Sequence, residues 1–167
     1  LTCRKNSGIG IFFMGGADLI TGVRLLEPVR FEDLRGEFIE TWSELTLPGF
    51  SWRRDNISVS HRRVLRGIHG APNTVKLVSC IMGKAYVVVV SPDRSTVAYF
   101  ILSDRNRLRL LVPAGCGLGY YALTDVVYSY KQSTHYGEDE EFTWKWNDPA
   151  LAIRWPDADP ILSERDR

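Results

Sequence analysis

An all-β fold, either a double-sheet jelly roll or a closed antiparallel barrel, is predicted by three observations on this chain. From about Gly22 onward, short apolar or β-branched runs alternate with Gly, Pro, Asn and Asp punctuation. No segment of ten or more residues carries a helical stripe. The chain has 167 residues with 44% hydrophobic side chains, enough for one well-buried core and too few for two ordinary domains. Many short strands must therefore share one domain and close their edges, which jelly rolls and barrels do. Both architectures leave a cavity into which side chains of alternate parity converge.

Taken in order, residues 1–19 are read as an N-terminal extension and 20–167 as the domain. An apolar run at 9–14 follows Arg4 and Lys5, but it is interrupted by Gly10 and falls short of the ~7–15 residues of a secretory signal. The first methionine is Met14, so residues 1–13 are read as an upstream extension. Residues 41–45 are expected to form at most one helical turn before Pro48. The runs 75–82 and 85–91 flank Gly83-Lys84 and are expected to pair as a hairpin, the second being apolar enough for the middle of a packed sheet. Further strands are predicted at 99–102, 108–113, 120–123, 126–131 and 142–146. Gly115-Cys-Gly-Leu-Gly119 follows Pro113 and leads into a strand, so it is expected to be a tight inter-strand turn and not a dinucleotide loop at a helix N-terminus.

The net charge of +1 implies neither a nucleic-acid-binding field nor a membrane-seeking basic face. Cys3, Cys80 and Cys116 have neither the even count of a disulfide framework nor the spacing of a zinc site. Reduced thiols and a cytoplasmic location are the expectation, in which the Asn56-Ile-Ser58 sequon carries no meaning.

Val64-Leu-Arg-Gly-Ile-His-Gly70, followed at once by Val75-Lys-Leu-Val-Ser-Cys80, sets an imidazole, a guanidinium and an ammonium on neighbouring extended segments. That set suits an anionic substrate needing proton chemistry. The three histidines, His61, His69 and His135, lack a His-x-His companion, so no metal is expected. His69 is read as a base, the alternative being a satisfied structural histidine. Tyr130 shares strand parity with Tyr128 and faces either the cavity or a core aromatic stripe. Arg35 and Arg66, each followed by Gly, suit bidentate phosphate grips, and each taken singly also suits an ordinary surface position.

Asp33-x-Arg35-Gly36, Asp55-Asn-x-Ser-x-Ser60, Val64-Leu-Arg-Gly-x-His69, Lys76-Leu-Val, Pro113-x-Gly115, Tyr130-Lys131, Trp146-Asn-Asp and Trp155-Pro before Ile161-Leu-Ser-x-x-Asp166 fall in this order. In these motifs the chain resembles the dTDP-4-dehydrorhamnose 3,5-epimerase family, cupin jelly-roll enzymes acting on 4-keto sugar nucleotides, over about residues 20–166. The resemblance implies His69 as base held by Asp166, Tyr130 as acid on the opposite face of the sugar, and Lys76 as the cation for charge developing on O4. It implies Arg66 as diphosphate clamp, Asn56 and Ser58 as substrate contacts, and Tyr136 as a wall of the sugar pocket. Arg35 and Glu40 would come from an N-terminal strand exchanged between subunits, which implies a homodimer with shared sites, and no cofactor is called for. His69-Gly70 in place of the usual His-aromatic-Gln, the short spacer to Lys76 and Cys80 look closer to the branch acting on GDP-linked 4-keto heptoses in capsule pathways. Leu118 stands where the family has a ligand-contacting histidine and Val87 where the rhamnose enzymes have an aspartate, leaving open the sugar, the nucleotide and whether C3, C5 or both are inverted. Two other functions fit such a barrel: a non-catalytic sugar-nucleotide-binding cupin, and a 3,4-ketoisomerase, against which Tyr130 argues.

Overall fold

The computed structural model describes residues 20–167; the expected extension at 1–19, its apolar run 9–14 and Cys3 lie outside them. The strands are β1 (Arg24–Leu26), β2 (Val29–Asp33), β3 (Gly36–Glu40), β4 (Arg54–Ser60), β5 (Leu65–Gly70), β6 (Lys76–Met82), β7 (Lys84–Val90), β8 (Val97–Ser103), β9 (Arg109–Val112), β10 (Gly117–Ala122), β11 (Val126–Gln132) and β12 (Phe142–Thr143). They form two five-stranded antiparallel sheets, ordered β1-β9-β6-β11-β4 and β12-β5-β10-β7-β8, and a separate β2-β3 ribbon. The fold is thus all-β, a double-sheet jelly roll of the cupin type. Its one helical element is a 3-10 turn at Glu164–Asp166 among the described residues.

Alternation within the strands builds the layers. β7 lies between β10 and β8 and is buried along nearly its whole length, as its apolar run predicts. Ala85, Val87 and Val89 enter the core between the sheets, where they meet Val78 and Cys80 of β6. Tyr86, Val88 and Val90 point the other way, under Trp144, Trp146 and Trp155 of the C-terminal segment. A third cluster of Leu47, Leu77 and Leu111 lies under Trp42, Phe50 and Trp52, packed on the outside of the first sheet.

Three expectations are revised. β6 and β7 do not pair; at Gly83 the chain crosses from one sheet to the other. The Thr124–Asp125 turn presses so closely there that a Cβ on Gly83 would stand 2.0 Å from the Asp125 carbonyl oxygen. Gly117 and Gly119 belong to β10 and not to a turn. They are small because a Cβ would meet Ile68 at 2.5 and 2.7 Å respectively, so the glycines let β5 and the Trp144 ring pack closely. The 142–146 strand pairs as a strand only over Phe142–Thr143, although Trp144 still donates to the Ile68 carbonyl at 2.9 Å. Near Pro48 the expected single turn is present, closed by Leu47 N–H on the Ser43 carbonyl at 3.1 Å.

Candidate active site

β5 presents two functional side chains on one inner face although they are three residues apart. In an unbroken strand, positions i and i+3 face opposite ways. Here His69 lies opposite Leu118 and Arg66 opposite Tyr120, so Gly67 and Ile68 of β5 together face Gly119 of β10, and the bulge returns both side chains to the inner face. Leu65 and Ile68 turn outward into the opposite core. Gly67 makes this possible: its φ is +122°, and a Cβ there would stand 2.5 Å from the Gly119 Cα.

His69 Nε2 lies 2.7 Å from Asp166 Oδ1. The Asp166 side chain is 3% exposed, and its other oxygen accepts from Ser163 Oγ at 2.8 Å. Burial pushes the His69 pKa below the usual imidazole value, outweighing the opposing pull of Asp166; Arg165 and Lys76 add to the lowering. With Nε2–H donated to the carboxylate, Nδ1 is left with its lone pair, the state a base requires.

The facing sheet supplies the remaining groups in register. Asn56, Tyr130 and Val78 form one cross-strand row, and Arg54, Gln132 and Lys76 form the next. Lys76 Nζ donates to the His69 carbonyl at 3.2 Å, joining the sheets beside the base. Burial lowers the Lys76 pKa, with Glu141 pulling the other way. Asn56 Nδ2 donates to Gln132 Oε1 at 3.3 Å. Ser58 and Ser60 hydroxyls lie 3.0 and 2.8 Å from the Tyr120 hydroxyl, and the Tyr120 ring stacks on Tyr128. Arg66 Nε donates to Ser60 Oγ at 2.9 Å, and no carboxylate lies within ion-pair distance of Arg66 among the described residues. Its charge is therefore available to an anion.

Contacts thus join His69 to Asp166 and Lys76, and Tyr130, Arg66, Asn56 and Ser58 lie on the inner faces of the two sheets, whereas three named residues do not. Arg35 sits at the tip of the ribbon, 90% exposed and bound to Asp33 at 2.5 Å. Glu40 ends β3 on the same ribbon, outside both sheets. Tyr136 is 88% exposed, with the Arg54 guanidinium over its ring. Arg54, Gln132 and Tyr120 line the inner face and were not singled out from the sequence. The signal was the alternation Arg54-x-Asn56-x-Ser58-x-Ser60 and Tyr128-x-Tyr130-x-Gln132, a polar stripe of period two. Val87 is fully buried opposite Tyr120, and Leu118 packs against the inner core beside His69.

A family model described as dTDP-4-dehydrorhamnose 3,5-epimerase matches residues 18–167. A Streptomyces griseus protein of that description is 39% identical over 165 residues, covering 89% of this chain and 81% of its own length. Another, from Neisseria gonorrhoeae, is 36% identical, and this chain spans 48% of it. The crystal structure of the Bacillus anthracis dTDP-4-dehydrorhamnose 3,5-epimerase with TDP and PPi bound superposes with a TM-score of 0.83 at 35% identity, over 88% of this chain and 92% of that one. ChmJ, a 3'-monoepimerase from Streptomyces bikiniensis in complex with dTDP-quinovose, gives 0.82 at 31% identity, over 89% and 82%.

Proposed function

The chain belongs to the dTDP-4-dehydrorhamnose 3,5-epimerase family, isomerases of sugar nucleotides, and from that premise we propose that His69 and Tyr130 invert C3, C5 or both of a nucleoside-diphosphate 4-keto sugar. The observation that carries this reading is the 2.7 Å pair between His69 on one sheet and Asp166 on the terminal turn, with Tyr130 and Lys76 on the facing sheet. A ketone at C4 acidifies the hydrogens at C3 and C5, but removing one needs a positioned base and a stabilised enolate oxygen. His69 Nδ1 takes the proton, and the Asp166 carboxylate supports the imidazolium that forms. The Lys76 ammonium holds the charge gathering on O4. Tyr130 returns a proton from the other sheet, hence to the other face of the carbon, and the centre inverts. Arg66 grips the diphosphate, while Asn56 and Ser58 contact substrate from β4.

The relatives above carry dTDP in their names, and one is a monoepimerase. The His69-Gly70 sequence and the short spacer to Lys76 favour a second reading, a GDP-linked 4-keto heptose of capsule synthesis. Arg35 and Glu40, on a ribbon paired with neither sheet, reach substrate from a second subunit in a homodimer. Buried free Cys80 and Cys116 fit a reducing cytoplasm. No helix among the described residues is long and apolar enough to cross a membrane.

Two variants test the division of labour. His69→Asn is expected to abolish deuterium wash-in at both carbons. Tyr130→Phe is expected to keep wash-in while losing inversion. Full activity of His69→Asn contradicts the assignment.

A further inference from the structure

Asp166 reaches His69 from the 3-10 turn Glu164–Asp166, whose backbone anchoring is sparse. Upstream, Ile161 bridges Val64: Leu65 N–H donates to the Ile161 carbonyl at 3.0 Å and Ile161 N–H to the Arg63 carbonyl at 2.9 Å. Beyond that bridge the turn is held by Asp166 N–H on the Ser163 carbonyl at 3.1 Å and by side chains. Arg165 supplies the longest of these. Its guanidinium donates to Glu141 Oε2 at 3.0 Å and to Thr143 Oγ1 at 3.3 Å. Thr143 lies on β12, opposite His69 itself in the β12–β5 register. The contacts close a ring: His69 to Asp166, through the chain to Arg165, across to Thr143, and through the strand pair back to His69.

We propose that Arg165 is a positioning residue of the proton-transfer pair, tying the Asp166 turn to β12 so that the carboxylate stays on His69. The inference rests on His69 being the base. The charged groups acting on His69 are Asp166 and Arg165 from the terminal turn and Lys76 from β6. Burial is the largest cause of its low proton affinity, Asp166 opposes it, and Arg165 and Lys76 add to it. Losing the tie withdraws Asp166, whose pull on the imidazolium outweighs the opposing charge of Arg165, so the His69 pKa falls further. The Arg165–Glu141 pair is about half-exposed and contributes little to global stability, so the fold survives its loss.

The test is an NMR titration of the His69 imidazole in the full chain, for the wild type, Arg165→Gln and Arg165→Lys, with kcat, KM and thermal midpoint measured on the same samples. Arg165→Gln is expected to lower the His69 pKa further and to lower kcat about 10-fold, a scale usual for groups that orient a reacting side chain, with KM changed less than about twofold. Arg165→Lys keeps the charge and is expected to restore the wild-type titration. An unchanged or raised His69 pKa in Arg165→Gln, with or without a fall in thermal midpoint, overturns the proposal, because Asp166 then stays on His69 without Arg165. The same shift in Arg165→Lys as in Arg165→Gln overturns it as well. The titration needs no turnover, so its outcome is separable from a failure of the base assignment, which an active His69→Asn would reveal.

Discussion

His69 combines two requirements that usually conflict: a carboxylate 2.7 Å away to orient it and a proton affinity low enough to leave it free at neutral pH. Burial resolves the conflict, because enclosure penalises the imidazolium by more than Asp166 favours it. The acid limb of kcat/KM is therefore expected below the ordinary imidazole value of about 6.5. A limb at or above that value contradicts the assignment. The sign for stability is the same. The folded pKa lies under the unfolded one, so this contribution is intact above about pH 6.5 and is lost as pH falls towards the lowered folded value. Asp166→Asn is expected to hold the wrong tautomer and to cut kcat on the order of 100-fold or more, with substrate binding retained. An unchanged rate would reassign Asp166 to capping the terminal turn through Ser163. Motif order made His69, Tyr130 and Lys76 legible, because each sits in a short local signature. Arg165 was not legible, since its contacts to Glu141 and Thr143, over twenty residues away, depend on β12 folding back beside β5.

At the scale of the element, the β5 bulge decides which side chains face inward between the sheets. Gly67→Ala must relieve both a φ of +122° and a 2.5 Å approach to the Gly119 backbone, neither of which a side-chain rotation can cure. A cost of roughly 2–4 kcal/mol is expected, read as a lower denaturant midpoint at constant m, with loss of turnover as His69 and Arg66 fall out of register. Wild-type stability for this variant would mean the bulge is not required. Strand content was readable from apolar runs and punctuation, and β7 was placed in the interior from its composition alone. Partners were harder to read. Gly83 carries the turn chemistry of a hairpin, and only its contact with the Thr124–Asp125 turn distinguishes a crossing between sheets from a reversal within one. The glycines of β10 likewise mimic a loop, because close packing and tight turning call for the same residue.

For the whole molecule, the ribbon and the β4 edge stand out. Arg109 donates to the Thr41 carbonyl at 2.6 Å and the Glu27 carbonyl at 3.3 Å, clasping the base of the ribbon, while Arg107 holds Glu37 at 2.9 Å. The ribbon still leaves Phe38 68% exposed, and the edge strand β4 shows Ile57 and Val59 each at 66%. An apolar edge of this kind is ordinarily covered, and a second copy of the chain fits the shared site proposed above. Sedimentation is expected to report a dimer that Val59→Asp weakens. Inactive His69→Asn and Arg35→Ala proteins, mixed under exchange conditions, are expected to regain activity, since one site of each mixed dimer then holds both native residues. No recovery would place Arg35 outside catalysis. The sequence carried the ribbon's motif, but no local pattern in it says where the ribbon's tip lands.

The most direct test of the central claim is proton NMR of the wild-type protein in deuterated water with a panel of dTDP- and GDP-linked 4-keto hexoses and heptoses. Loss of the C3 signal, the C5 signal or both, with inversion at the same carbon, is the expected result, and it names the nucleotide and the regiochemistry together. A protein that binds these nucleotides yet exchanges neither hydrogen in any of them would contradict the account.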